Sequence, residues 1–339
     1  MKTRGVSVRW ARVGASAMVA AGGMLTGVVG CGGDDDEARP STGRAMSVAT
    51  SGTGGVGASS GGGAETGGGG GGVGDSDAGG AGGGRPAHHS SGCVDGTGRA
   101  EGVHTFDLDG RSRRYVLRLP QDHGRLARAW PVVLALHGNG GDVGYWDVTS
   151  GPRNIREVVR DDAVLVIAEA IDNRWRDYGA DPATWPARIE DELAYFDEVI
   201  RHLETDLCID RHAIFSMGFS GGGSFSGVLG CRRPNIRAIA AGGSVVYFDP
   251  AACVHAPAAW IAISDGDESA GRFAFRDHFR DAAGCSTTSM PSAPSACTRY
   301  DGCDEGTPVD YCDHPGGHQW PDFGAQAAWD FFAPFVTEP

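Results

Sequence analysis

The sequence predicts an α/β domain with a mostly parallel central sheet and helices on both faces, and three observations carry that prediction. Short apolar runs of buried-strand type alternate with segments of helical period from residue 93 to the C-terminus. Three of these runs end abruptly in glycine-rich or polar turns, at residues 137–141, 218–222 and 265–268. The side chains able to do chemistry gather in or near such turns, where ligands of open parallel sheets bind.

The elements follow in order. Residues 103–109 and 112–119 flank Asp109-Gly110, a hairpin signal. Residues 132–136 and 163–170 are continuous apolar runs, hence buried strands. Leu193, Phe196, Ile200 and Leu203 recur at helical spacing and predict a long helix over 188–207. A strand ending at Ala213, Ile214 and Phe215 is expected next, then a helix from 222 to 230. Residues 236–246 and 258–263 read as further strands. Helices are expected over 271–283 and 325–335, the last packing Trp329, Phe332 and Phe335 onto the sheet. Residues 285–312 read as one irregular stretch, and no internal repeat is present.

Residues 218–222, Gly-Phe-Ser-Gly-Gly, form a GxSxG pentapeptide behind an apolar run. A serine on a sharp strand-to-helix turn is held in strained backbone with its hydroxyl exposed, and small neighbours let strand and helix approach. Ser220 is therefore the candidate nucleophile. The competing reading is a glycine-rich loop whose serine only caps a helix, a real alternative in a chain with 56 Gly.

Ahead of it, the run 132–136 delivers His137, Gly138, Asn139, Gly140 and Gly141. Acyl transfer needs N–H groups aimed at a developing oxyanion, and such a loop presents them at close range. The main-chain N–H groups of Asn139 and Gly221 are the expected donors. His137 precedes the serine, against the order serine, acid, histidine, and is read as a structural brace. Behind the serine, His318 sits on a Gly-Gly turn before Trp320 and is the expected base, with His314 as competitor. The acid must lie between them after a strand: Asp265 or Asp267 could fill the role. Asp267 is preferred because Gly266 gives the turn that swings its carboxylate toward the histidine.

HGNGG, GFSGGG and GGHQWP, with RYVLRLP (114–120), CID (208–210) and DHF (277–279), resemble the secreted α/β-hydrolase esterases that include feruloyl esterases, acetylxylan esterases and polyhydroxybutyrate depolymerase-like proteins. The likeness runs from about residue 93 to the end. It implies the α/β-hydrolase fold and serine ester hydrolysis without metal or organic cofactor. Members commonly carry an HGxxD pattern before the acid, where this chain has a shortened Ser-Asp-Gly-Asp. Asn often follows the family's nucleophile, where this chain has Gly221; a main-chain donor tolerates the change.

Length and composition agree. The first 92 of 339 residues differ sharply from the rest, which leaves one catalytic domain over 93–339. A net charge of −14 with no basic stripe argues against nucleic acid as a partner. Lys2, Arg4, Arg9 and Arg12 precede a modestly apolar stretch that ends in Val28, Val29, Gly30 and Cys31, a pattern like a bacterial lipobox. A lipoprotein-type signal over 1–31 with lipidated Cys31 is expected, so the domain meets the membrane only through that anchor and works outside the cytoplasm, as a monomer. Residues 32–92 hold almost no large apolar side chain and read as a flexible spacer with a span on the order of 40 Å. The other eight cysteines suit a disulfide framework, with the last four pairing among themselves. No pair has the CxxC spacing of a zinc site.

Tyr145, Trp146, Trp175, Trp185 and Trp320 lie close to the motifs in sequence. Each alone reads as packing. Together they suggest an aromatic-walled cleft, with Trp146 and Trp320 as the expected substrate contacts. The expected substrate is a feruloyl or acetyl ester of plant polysaccharide, with polyhydroxyalkanoate second. The rivals are a non-catalytic surface lipoprotein that binds polysaccharide in the same cleft and, more weakly, a peptidase.

Overall fold

The computed structural model describes residues 88–124, 128–176 and 180–336. The expected signal peptide and lipidation site, and the expected spacer up to residue 87, lie outside the described residues. Residues 88–92, read as the end of the spacer, instead pack on the domain: Ser90 is buried, its hydroxyl donates to the Leu207 carbonyl at 2.7 Å, and the His88 carbonyl accepts from Arg211 N–H. Ten strands form one sheet, ordered β1-β2-β4-β3-β5-β6-β7-β10-β9-β8. They are β1 (Gly102–Leu108), β2 (Arg111–Arg118), β3 (Trp130–Leu136), β4 (Val164–Ala168), β5 (Ile209–Phe219), β6 (Ile236–Gly242), β7 (Ala258–Ser264), β8 (Ser289–Ser292), β9 (Cys297–Tyr300) and β10 (Val309–His314). The inner pairs β4–β3, β3–β5, β5–β6, β6–β7 and β7–β10 are parallel, and antiparallel strands extend both edges. At the first edge the turn between β1 and β2 has positive φ at both Asp109 and Gly110, as a two-residue hairpin of the right twist requires.

Burial explains the apolar runs. Every residue of β3, β4 and β7 is buried, because helices cover both faces of the sheet. The helices are α1 (Gly92–Asp95), α2 (Ile155–Val158), α3 (Trp185–Asp206), α4 (Gly221–Arg232), α5 (Ala270–Ala282) and α6 (Gly324–Phe332). Leu193 and Phe196 of α3, Phe225 of α4 and Phe275 of α5 share one core with Leu134, Ile214 and Ile261 of the sheet. Phe332 of α6 belongs to a second core and stacks on Phe215 of β5 at 4.7 Å, with Val133, Leu165 and Trp260 beside it. Among the described residues no helix is long and apolar enough to cross a membrane.

Several expected boundaries move. Strand β5 continues to Phe219 rather than ending at Phe215, so the serine follows the strand directly. Strand β6 stops at Gly242, well before residue 246, because Gly243 turns the chain at φ 58. Helix α6 ends at Phe332 and tightens into a 3-10 turn through Pro334, which has no N–H with which to continue the ladder. The stretch read as irregular carries β8, β9 and β10. Strand β10 escaped the apolar criterion because its sequence mixes Asp310 and Asp313 into the run; Asp310 is nonetheless buried, held by Arg299 of β9 at 2.7 Å.

All eight described cysteines pair, Cys93–Cys208, Cys231–Cys253, Cys285–Cys303 and Cys297–Cys312. The last four do pair among themselves. Cys297 and Cys312 face one another across β9 and β10, so this bridge staples the added strands to β10. Four disulfides in a domain of this size belong to an oxidising, extracytoplasmic compartment.

Candidate active site

Ser220 stands between β5 and α4 with φ 54 and ψ −121, backbone that L-residues rarely adopt. The glycines around it are demanded by close main-chain contacts. A Cβ on Gly222 would collide with the Leu136 and His137 carbonyls at the end of β3, one on Gly218 with Gly222, and one on Gly223 with the Ser244 hydroxyl. The turn is pinned further by Ser220 N–H donating to the Gly242 carbonyl at 2.8 Å. Ser220 occupies the N-cap position of α4, yet its side chain caps nothing; the hydroxyl lies 2.9 Å from His318 Nε2. The capping-serine alternative therefore fails.

His318 follows β10 on a turn where Gly316 and Gly317 both have positive φ, and Gly317 N–H donates to the Asp265 carbonyl at 3.0 Å. Its ring rests 4.6 Å from the Phe219 ring and closes on Gly243, which has no room for a side chain there. With 41% of its side chain exposed, the histidine opens onto the surface. His314, the competitor, is the last residue of β10: it is buried, bonds the Pro315 carbonyl through Nδ1 and sits edge-on to Phe323.

The carboxylate bonded to His318 Nδ1 is Asp267, through Oδ2 at 2.7 Å. Gly266, at φ 82, makes the turn that aims it. Asp265 contributes main chain instead, its N–H donating to the His314 carbonyl and its carbonyl accepting from Gly317. A further side chain, which sequence reasoning missed, joins the pair: Arg272 Nη2 lies 2.8 Å from Asp267 Oδ1 and 3.1 Å from His318 Nδ1. Its only sequence signal is its place in the first turn of a helix whose N-cap is Ser269, just after the acid loop.

The loop after β3 runs past the serine. Asn139 places its side chain over Gly221, where any Cβ would meet it, and a Cβ on Gly138 would approach the Ser220 Cβ to 3.6 Å. Gly221 opens α4, so its N–H has no intrahelical acceptor and lies at the positive end of the helix dipole. The N–H groups of Gly140 and Gly141 are committed, to the Asn173 carbonyl at 2.8 Å and the Gly138 carbonyl at 3.0 Å. Asn173 and its neighbour Asp172 both adopt positive φ, so this strut is itself strained. His137 braces the loop from below. It is fully buried, Nδ1–H donates to the Gly138 carbonyl at 2.7 Å and Nε2 accepts from Ala170 N–H at 3.2 Å. Burial pushes its pKa down, which keeps the ring neutral and able to donate and accept at once.

Two expected substrate contacts are corrected. Trp146 is fully buried, its indole N–H donating to the Leu136 carbonyl at 2.8 Å, and Trp320 is 3% exposed. They pack edge to face at 5.2 Å beneath the site, where Trp320 supports Gly242. Trp175 is likewise buried, and its indole N–H donates to the His137 carbonyl. The aromatic that borders the surface here is Tyr145, half-buried and stacked on Phe219.

No protein-family profile matches the chain. Feruloyl esterase D of Neurospora crassa is 29% identical over 280 residues, which span 73% of this chain and 90% of that protein. A probable feruloyl esterase C of Aspergillus clavatus is 28% identical over 265 residues, 72% of this chain and 90% of its own. A solved CE1 ferulic acid esterase from Anaeromyces mucronatus overlaps with a TM-score of 0.48 at 15% identity, over 69% of this chain and 89% of that one, a partial match that adds nothing to the geometry. The chain is similar to feruloyl-esterase-like α/β-hydrolases, and it is a serine carboxylic ester hydrolase with that fold.

Proposed function

We propose that Ser220, His318 and Asp267 form the catalytic triad of an extracytoplasmic esterase that cleaves feruloyl or acetyl esters of plant polysaccharide. Ser220 Oγ attacks the ester carbonyl while its proton passes to His318 Nε2, and the N–H groups of Asn139 and Gly221 receive the charge on the carbonyl oxygen. The tetrahedral intermediate collapses, His318 returns the proton to the leaving sugar hydroxyl, and the acyl group stays on Ser220. Water then attacks the acyl-enzyme with His318 again as base and frees the carboxylic acid. Asp267 keeps the Nδ1–H tautomer, so that Nε2 is the nitrogen facing serine.

The single observation that carries this reading is the unbroken path of 2.9 and 2.7 Å from Ser220 Oγ through His318 to Asp267. The substrate class is supported by the relatives, which are named for feruloyl ester cleavage. The exposed edge of His318 is compatible with an ester carried on a bulky polymer. Methyl ferulate, acetylated xylan and short polyhydroxybutyrate assayed in parallel test the choice. Turnover of the first or second is expected; cleavage of the polyester alone would move the substrate class. A wild-type chain that neither hydrolyses 4-nitrophenyl acetate nor is labelled by a fluorophosphonate would overturn the catalytic reading itself.

The N-terminal reading belongs to the same proposal. Cys31 would carry the lipid that tethers the enzyme, and residues 32–87 would hold the domain clear of the membrane. Mass spectrometry of the mature N-terminus is expected to find a diacylglyceryl cysteine at position 31. An unmodified terminus elsewhere would make this a freely secreted enzyme.

A further inference from the structure

We propose that Arg272 is a positioning residue that clamps the Asp267 carboxylate in the orientation from which it selects the productive tautomer of His318. The inference rests on the triad reading above and adds a member that the resemblance does not supply. The main chain of the acid loop is held, with Asp267 N–H donating to the Ser264 carbonyl at 2.9 Å and Asp265 bonded through both its N–H and its carbonyl, but none of these bonds fixes the torsion of the Asp267 side chain. The side chain must be fixed by what it touches. Oδ2 takes the His318 Nδ1–H at 2.7 Å and Oδ1 takes Arg272 Nη2 at 2.8 Å, so each oxygen has its own donor and rotation of the carboxylate breaks a charge-assisted bond.

Arg272 is fixed in turn. It lies in the first turn of α5, its Nη1 donates to the Ser269 hydroxyl at 3.2 Å, and that hydroxyl also accepts the Arg272 main-chain N–H as the helix cap. With 18% of its side chain exposed, the guanidinium has lost much of its water, which favours the ion pair over a screened surface contact.

The 3.1 Å between Arg272 Nη2 and His318 Nδ1 shows what the carboxylate does. With Nδ1 protonated both nitrogens donate, each to its own oxygen of the one carboxylate. Were the carboxylate absent, Arg272 would donate to a bare Nδ1, leaving the proton on Nε2, where it faces Ser220 and blocks proton abstraction. Arg272 thus aids catalysis only while Asp267 is ionised beside it. Among the described residues, the charged groups that contact the ring are these two, from the β7–α5 loop and from α5; β5, the turn after β6 and the nucleophile turn present Phe219, Gly243 and Ser220.

A double-mutant cycle on the full chain tests this, with 4-nitrophenyl acetate as substrate. Arg272→Gln is expected to lower kcat on the order of 10- to 100-fold with KM changed less than about threefold, since misplacement of a reacting group costs rate rather than binding. In the Asp267→Asn background the same substitution is expected to cost less than about threefold, because there is no carboxylate to aim. Arg272→Lys, which keeps a cation within reach, should recover most of the rate, and Arg272→Met carries the same cycle if the glutamine variant does not fold. Equal losses in both backgrounds, or an unchanged kcat in the single variant, would overturn the proposal. A wild-type chain without esterase activity or fluorophosphonate labelling would instead strike the triad reading, so the two failures are told apart.

Discussion

The turn that carries Ser220 and the loops that carry Asp267 and His318 meet at one hydrogen bond, yet they are held by different means. Around the serine the restraint is main chain against main chain: Gly218 and Gly222 stand where any side chain would collide with backbone, and the Ser220 N–H is tied to β6. Around Asp267 and His318, Gly266 and Gly317 have open space; main-chain bonds tie the two loops to each other, and the functional side chains are ordered by side chains and cross-links: the Asp267–Arg272 pair, the Ser269 cap, and the bridge between β9 and β10. The first region tolerates almost no substitution but needs no partner. The second is built from parts that can be removed one at a time, and its failures should be graded.

The largest expected effect lies on the rigid side. Ser220→Ala should reduce 4-nitrophenyl acetate hydrolysis on the order of 10⁵-fold or more and abolish fluorophosphonate labelling, with the fold kept by circular dichroism. Residual activity within tenfold of wild type would remove Ser220 from the mechanism. On the graded side, Asp267→Asn should lower kcat roughly 10⁴-fold by presenting an amide to Nδ1 and favouring the wrong tautomer. A loss below tenfold would mean that another group orients the ring.

Stability separates the two regions further. Gly222→Ala must displace the Leu136 carbonyl or the turn itself, which should destabilise the domain by about 3 kcal/mol and remove activity together. Chemical denaturation measures the first, and an unshifted midpoint would show that the turn can yield. Replacing Cys297 and Cys312 by Ser opens a loop closed over a separation of 15 residues and should lower stability by about 3 kcal/mol, with kcat of the folded fraction changed less than about fivefold. Loss of activity without loss of stability would mean that the bridge aims His318 directly. The smallest effect is expected for Asp265→Asn, whose side chain lies off the path to His318: kcat within about twofold of wild type. A crippled enzyme would return the role of acid to Asp265.

Much of this molecule was legible because local pattern and tertiary role coincide. Strands β3, β4 and β7 are buried on both faces and so read as unbroken apolar runs, and the glycines of 218–223 mark where backbones touch. Strand β10 was hidden because a buried charge, Asp310, is paid for by Arg299 on a neighbouring strand, and no window along one segment contains both partners. Trp146 and Trp320 misled for the reverse reason. Nearness in sequence to a catalytic motif says which loop a side chain belongs to, whereas the direction in which it leaves the loop depends on the space beneath, here an apolar pocket that takes both indoles.

By itself the sequence determined the alternating α/β plan and the strained serine turn, since these depend on steric size and hydrophobic period within a few residues. It also held the disulfide pairs of the last four cysteines within one segment. Only the tertiary structure set Asp267 rather than Asp265 against His318, sent the tryptophans into the core and brought Arg272 to the Asp267 carboxylate. Those outcomes depend on which side chains converge at the carboxyl ends of strands far apart in sequence, where a turn of one residue redirects a carboxylate and the partner that satisfies it lies on another element.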